Sequence, residues 1–244
     1  MISPLIVNVQ SRIEAVDTFL IICKEATMST KSYAKTRFSA NDAALVMIDH
    51  QSGIIQCVHD YSPAEFRNNV MALAKLGKVF KLPIVLSTSL GQGPNGAFIP
   101  EVVSLFPDVP VIDRPGIIDA WDDPKFVAAV EKTGRKNLIM AGVTVDVCLA
   151  FAAMHAVKAG YNVYGVIDAS GGVEVTIREN AVARMKDYGV TPINWTTVAA
   201  ELQRDWRLPT GKDLGRVFHD HYHNYGLAMD SFDYTSANVR QKAS

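Results

Sequence analysis

Three residues of the chain could together supply a nucleophile, a base and a fixed cation: Cys148, Asp49 and Arg114. Cys148 follows Gly142-Val-Thr-Val-Asp146 and opens a stretch that reads as helix from about residue 147. Unpaired amides in the first turn of a helix favour an anion, lower a thiol's pKa and can hold a developing oxyanion. A cysteine followed by Leu149-Ala-Phe151 is equally compatible with a small core residue, and position alone leaves both readings open. Asp49 ends the apolar run Ala43-Ala-Leu-Val-Met-Ile48, where an acid has no packing role. It suits a base, or a cap for the turn through Ser52 and Gly53. Arg114, read alone, is a surface ion pair with its neighbour Asp113. Cys23 and Cys57 lack any such context and read as structural.

Other motifs carry less. Gly91-x-Gly-x-x-Gly96 has dinucleotide-loop spacing, but Pro94 lies inside it and no helix start follows. There is no G-K-[ST] phosphate loop and no G-x-S-x-G elbow. His219-x-His221-x-His223 suggests metal, yet Leu214, Val217 and Phe218 around it have helical spacing, which scatters alternate side chains. No metal and no cofactor are expected.

The elements that must position these residues follow a regular alternation. Strands are expected at 43–48, 83–88, 109–112, 137–141, 162–167 and 190–195. Helices are expected at 63–81, 123–133, 147–158, 176–188 and 197–204, with Pro124 at a first helical position and Gly160 and Gly189 as stops. Strands alternating with helices mean βαβ units, a parallel sheet and helices on both faces. Ligands bind outside the carboxyl ends of such strands. Asp49, the 88–96 loop, Arg114, residues 143–148 and Asp168 all fall on that rim.

Composition limits the classes. With 244 residues, 48% of them hydrophobic, the chain suits one large α/β domain with a sizeable core. Lys plus Arg number 24 against 25 Asp plus Glu, so nothing electrostatic favours nucleic acid or an anionic membrane as partner. Three widely spaced cysteines without a C-x-x-C suggest a reducing, cytoplasmic setting. The apolar run 19–23 is too short for a span. Residues 1–40 form an N-terminal arm, 41–208 the domain and 209–244 a C-terminal tail. Within the arm, 11–26 could be a short helix, and Met28 is a sensible alternative start.

At this point the residues resemble a known family. Asp49 after the first strand, a basic residue after the third and Gly-Val-Thr-x-x-x-Cys before a helix resemble the isochorismatase-like cysteine hydrolase superfamily. The likeness covers about 42–205. Val46-Met-Ile-Asp-His-Gln51, Gly93-Pro-Asn-Gly96, Arg114-Pro-Gly-Ile-Ile-Asp-Ala-Trp121 and Glu201-Leu-Gln-Arg-Asp-Trp206 are similar to its YcaC-like subgroup in particular. The resemblance implies a three-layer α/β/α sandwich with a six-stranded parallel sheet, Rossmann-like in kind. It also implies an Asp49–Arg114–Cys148 triad, a cis peptide at Val143–Thr144 aiming the Thr144 and Cys148 amides at one oxyanion, and a homo-oligomer, an octamer in this subgroup. Gln51, Asn95 and Trp121, within the matching strings, are candidates for substrate contact.

This chain departs from the superfamily in ways that matter. Most members have Lys where Arg114 stands, and Arg serves only as fixed charge and positioner. The metal-binding branch has Asp-x-His and a His after strand two; here Asp49 precedes His50-Gln51 and Thr88-Ser89-Leu90 holds no His. The expected activity is metal-independent hydrolysis of a small amide or related C–N carbonyl substrate through a thioester. A non-catalytic oligomeric scaffold or binding protein on the same fold is the competing reading. Phe218, Tyr222, Tyr225, Leu227, Met229, Phe232 and Tyr234 crowd the tail, which either folds back on its own sheet or joins a subunit contact.

Overall fold

Alternation of side chains along a strand decides the layers. In the central strand β1 (Ala43–Ile48) all six residues are buried. Leu45 and Met47 face one side, while Ala44, Val46 and Ile48 face the other. The computed structural model describes residues 37–243, and the expectations for residues 1–36 lie outside them.

Six parallel strands form one sheet in the order β3-β2-β1-β4-β5-β6. The others are β2 (Ile84–Ser89), β3 (Val111–Arg114), β4 (Asn137–Gly142), β5 (Asn162–Val166) and β6 (Thr191–Ile193). Helix α1 (Pro63–Val79) runs between β1 and β2, with the short α2 (Pro100–Val103) before β3. Next come α3 (Pro124–Lys132), α4 (Ala150–Lys158), α5 (Val175–Asp187), α6 (Trp195–Gln203), α7 (Gly211–His221) and α8 (His223–Ala243). Helices α1, α6 and α7 pack on the Leu45 face, and α3, α4 and α5 on the Val46 face. The three layers expected from the resemblance are present.

Local chemistry explains the helix starts. Ser62 accepts from the Glu65 amide at 3.2 Å with Pro63 following, a capping arrangement worth about 1 kcal/mol. Asp123 accepts from the Lys125 and Phe126 amides ahead of Pro124. Phe66, Val70, Leu73 and Leu76 then give α1 its buried stripe.

The expected boundaries shift in three places. The third strand runs over 111–114, so Asp113 and Arg114 belong to it and point to opposite sides. The last strand spans only three residues, because the next helix begins at Trp195, whose amide Asp168 holds at 3.0 Å. Residues 211–243 are two helices, α7 placing Leu214, Val217 and Phe218 in the core. Phe38 is core as well, edge-on to Tyr164 with centroids 4.7 Å apart.

Candidate active site

The strand order reverses between β1 and β4, which opens a crevice at their carboxyl ends. Asp49 leaves β1 there with φ +58, a left-handed conformation that costs a non-glycine residue about 1–3 kcal/mol. The next amides each hold a neighbouring strand: Asp49 N donates to Ser87 O at 2.8 Å and Val143 N to Ile48 O at 3.1 Å.

Across the crevice, β4 ends at Gly142 beside Ile48. The cysteine turn packs directly onto this glycine. A Cβ at Gly142 would lie 2.9 Å from Leu149 N and 3.1 Å from the Cys148 carbonyl carbon. The Val143–Thr144 peptide is cis. Residues Val145–Leu149 then form a wide π-type turn in which Thr144 O accepts from both Val147 N and Leu149 N. Cys148 therefore sits before α4 rather than in its first turn. Gly171 O holds the Val145 amide at 3.2 Å, and Ser170 Oγ accepts from Gly142 N at 3.1 Å while donating to Val166 O.

Arg114 comes from β3, two strands away from β4's partner, and spans the gap with its length. Its side chain and that of Asp49 are both wholly buried. Nη1 meets Asp49 Oδ1 at 3.0 Å and Nη2 meets Oδ2 at 2.8 Å, a bidentate pair. The other donors reach Ser87 Oγ at 2.8 Å, Ile117 O at 3.1 Å and Ile118 O at 3.4 Å. All five guanidinium N–H groups thus have protein partners. The surface pair with Asp113 does not form; Asp113 instead accepts from Thr88 Oγ1 and Gly91 N.

The Cys148 thiol completes the set beside the Asp49 carboxyl, near enough for each to shift the other's pKa. Burial pushes the Asp49 carboxyl up from its ordinary value, against the pull of Arg114 and of the thiol. Burial also pushes the Cys148 thiol up, reinforced by the Asp49 charge, while Arg114 and the Thr144 amide oppose it. The lowering expected from a helix terminus is not what the structure gives, because desolvation and a neighbouring carboxylate outweigh it. Both shifts favour the uncharged thiol beside the Asp49 carboxyl.

The remaining candidates are placed around this core. Gln51 is buried with its amide committed to loop backbone: Oε1 accepts from Ser89 N at 2.8 Å, and Nε2 donates to Ser89 O and Gly96 O. Asn95 Nδ2 also donates to Ser89 O, at 2.8 Å. Both hold the 89–96 loop in shape. Trp121 packs edge-on against Phe126 and Tyr161. His50 is buried beside Asp49, with Nε2 on Ala169 O at 2.9 Å and Nδ1 without a partner. The three tail histidines do not converge: His219 meets Asp230 and His221 meets Asn68. Asp119, Asp122 and His155 bring three ligand-type atoms within 4.8 Å of one another, but Asp119 already serves His155 and the Trp121 amide.

Sequence reading missed Ser87 and Ser170, and it placed Gly142 in the cysteine motif without its packing role. Ser87 carried a signal, since a wholly buried hydroxyl inside an apolar strand needs a partner. Gly142 and Ser170 act through backbone proximity that no local pattern announces.

Residues 43–197, which include Asp49, Arg114 and Cys148, match the isochorismatase domain, and the chain belongs to that family. Within it the chain is YcaC-like. It is 45% identical over 204 residues to the probable hydrolase YcaC of Escherichia coli, covering 84% of this chain and 97% of that one. The Escherichia coli YcaC crystal structure, described as an octameric hydrolase of unknown specificity, matches with a TM-score of 0.80 at 45% identity over 82% and 97% of the two chains. YcaC from Pseudomonas aeruginosa, solved with hexane-2,5-diol and covalent acrylamide, matches with a TM-score of 0.79 at 44% identity over 83% and 100%. The chain is an isochorismatase-family hydrolase.

Proposed function

We propose that the chain hydrolyses a small amide, or a related C–N carbonyl compound, through an Asp49–Arg114–Cys148 triad without a metal. The observation that carries this reading is the continuous link of thiol, buried carboxylate and saturated guanidinium. Asp49 takes the thiol proton as Cys148 Sγ attacks the carbonyl carbon. The amides of Thr144 and Cys148 receive the oxyanion. Collapse breaks the C–N bond, and the proton held on Asp49 goes to the departing nitrogen. Water, deprotonated by Asp49, then attacks the thioester, releasing the carboxylic acid and restoring the thiol. A carboxyl held above its ordinary pKa is a better base for both steps than a solvent-exposed one.

The covalent acrylamide on the Pseudomonas relative supports a nucleophile that small amides reach. The test is release of ammonia or amine from primary amides, ureas and hydrazides by the wild type and by Cys148→Ala. Turnover that survives in Cys148→Ala removes the mechanism.

The protein works as a homo-oligomer, octameric like its Escherichia coli relative. Leu227, Phe232, Tyr234 and Val239 on α8 are exposed and provide apolar contact surface. A mass of 26.7 kDa by light scattering refutes assembly. Free Cys57 and Cys148 fit a reducing compartment such as the cytoplasm. No helix among the described residues is long and apolar enough to cross a membrane.

A further inference from the structure

We infer that the site selects uncharged amides with an apolar acyl group and rejects those bearing a carboxylate. The inference rests on the proposed hydrolase reading and adds the chemical class of its substrate.

The first ground is a count of cations on the catalytic rim. The loops that leave the strand ends span residues 49–62, 90–99, 115–123, 143–149 and 167–174. Not one Lys or Arg occurs in any of them. Their charged side chains are carboxylates, among them Asp119, Asp122, Asp146 and Glu174. A cleft lined with one sign of charge focuses its field and repels a ligand of that sign.

The second ground is Arg114, which ends β3 and is the one guanidinium at a strand end facing the reacting groups. Every N–H it has is taken, two by Asp49 and the others by Ser87, Ile117 and Ile118. A substrate carboxylate would have to displace one of these buried bonds and would gain no free charge. Arg178 approaches the same rim from α5, but its guanidinium is held by Asp60 at 3.0 Å and lies over the Tyr61 ring. The proposed oxyanion amides of Thr144 and Cys148 suit a carbonyl oxygen.

The third ground is the character of the exposed rim. Leu90, Ile118 and Val173, on the loops after β2, β3 and β5, are 47%, 62% and 41% exposed, and Val175, the first residue of α5, is 45% exposed. Ile118 is closest to the chemistry by connection, since its carbonyl accepts from the guanidinium that grips Asp49. An aliphatic or aromatic acyl group gains by covering such side chains, at about 25 cal/mol per Å² of apolar surface removed from water.

Matched thiol reagents test the selection without knowledge of the natural substrate. Iodoacetamide and iodoacetate differ chiefly in charge, and the uncharged small thiol N-acetylcysteinamide, reacted under the same conditions, is the reference. Alkylation rates at Cys148 are read by peptide mass spectrometry on the assembled wild-type protein at pH 7.5. The iodoacetamide-to-iodoacetate ratio at Cys148 is expected to exceed that of the reference thiol by about tenfold or more, and to shrink with added salt. Ile118→Lys should raise the iodoacetate rate at Cys148 relative to iodoacetamide. Hydrolysis of butanamide should likewise exceed that of succinamate, its carboxylate-bearing counterpart. Equal ratios at Cys148 and the reference thiol, or succinamate matching butanamide, overturn the selection while leaving amide hydrolysis standing. A Cys148 that reacts with neither reagent, in a protein that turns over no amide, removes the hydrolase reading and this inference with it.

Discussion

Replacing Arg114 by Lys, the residue most of the superfamily carries there, should destabilise this protein. The guanidinium spends five N–H groups on five acceptors, four of them at 3.1 Å or less. An ammonium offers three, all from one nitrogen. At least two acceptors lose their donor, and each such loss beside a buried charge costs about 1–1.5 kcal/mol. Ser87 Oγ keeps its own bond to Ile112 O, which limits the damage. The expected loss is therefore about 2–3 kcal/mol, a large part of the 5–15 kcal/mol typical of a folded domain. Arg114→Met should cost more, about 3–5 kcal/mol, because Asp49 is left buried and unpaired. Adding Asp49→Asn to Arg114→Met should recover part of that loss, since the unpaired charge disappears. Urea unfolding followed by tryptophan fluorescence measures all three, at one fixed protein concentration so that assembly contributes equally. A Lys variant within about 0.5 kcal/mol of wild type would refute the reasoning, as would a Met variant no worse than Lys.

Asp49→Asn should lower kcat by about 10²–10⁴-fold, and it should also cost stability because the Arg114 guanidinium is left buried without its counter-charge; an undiminished rate in steady-state kinetics would end the proposed role of Asp49 as base. Gly142→Ala should cut kcat by about 10²-fold, because the atoms its Cβ meets are backbone of the cysteine turn and cannot rotate away; an Ala variant with wild-type turnover contradicts the tight packing described. Acid should destabilise the protein through His50, whose pKa burial lowers to about 4. The unfolded chain takes up that proton near pH 6.5 and the folded chain only near 4, so stability falls as pH drops through this window, by about 3 kcal/mol from His50 alone. Asp168, raised to about 6 by burial, works in the opposite sense between 3.8 and 6. Urea titrations from pH 7 to 4 should show a shallower fall in His50→Gln, and identical slopes would count against a buried neutral ring.

What was legible in the sequence was what strand-end chemistry exposes. An acid closing six apolar residues and a cysteine after a glycine turn mark the rim because neither has a packing reason to be there. Arg114 was legible as a candidate but not as a partner. Its direction depends on β3 extending through residue 114, and period-two alternation then turns Asp113 outward and Arg114 inward. The wide turn around Cys148 was invisible, since its bonds from Leu149 and Val147 to Thr144 depend on Gly142 lying beneath it. The thiol's direction of shift failed with it, because burial is a tertiary quantity. In the tail, α7 announced itself through Leu214, Val217 and Phe218, whereas α8 carries no continuous apolar stripe to read.

The place of β1 has a consequence for how the chain is made. This strand is apolar at every position and needs partners on both edges, β2 on one side and β4 on the other. The ribosome delivers β2 soon after, but β4 begins about 90 residues later. At about 5–20 residues per second, a nascent chain carries one naked edge of Ala43–Ile48 for about 5–20 s. An unpaired apolar edge is a template for pairing with a neighbouring chain. On a crowded polysome the best-protected strand of the finished enzyme is thus the most exposed liability of the unfinished one, and it stays so until the half of the sheet that leads to Cys148 arrives.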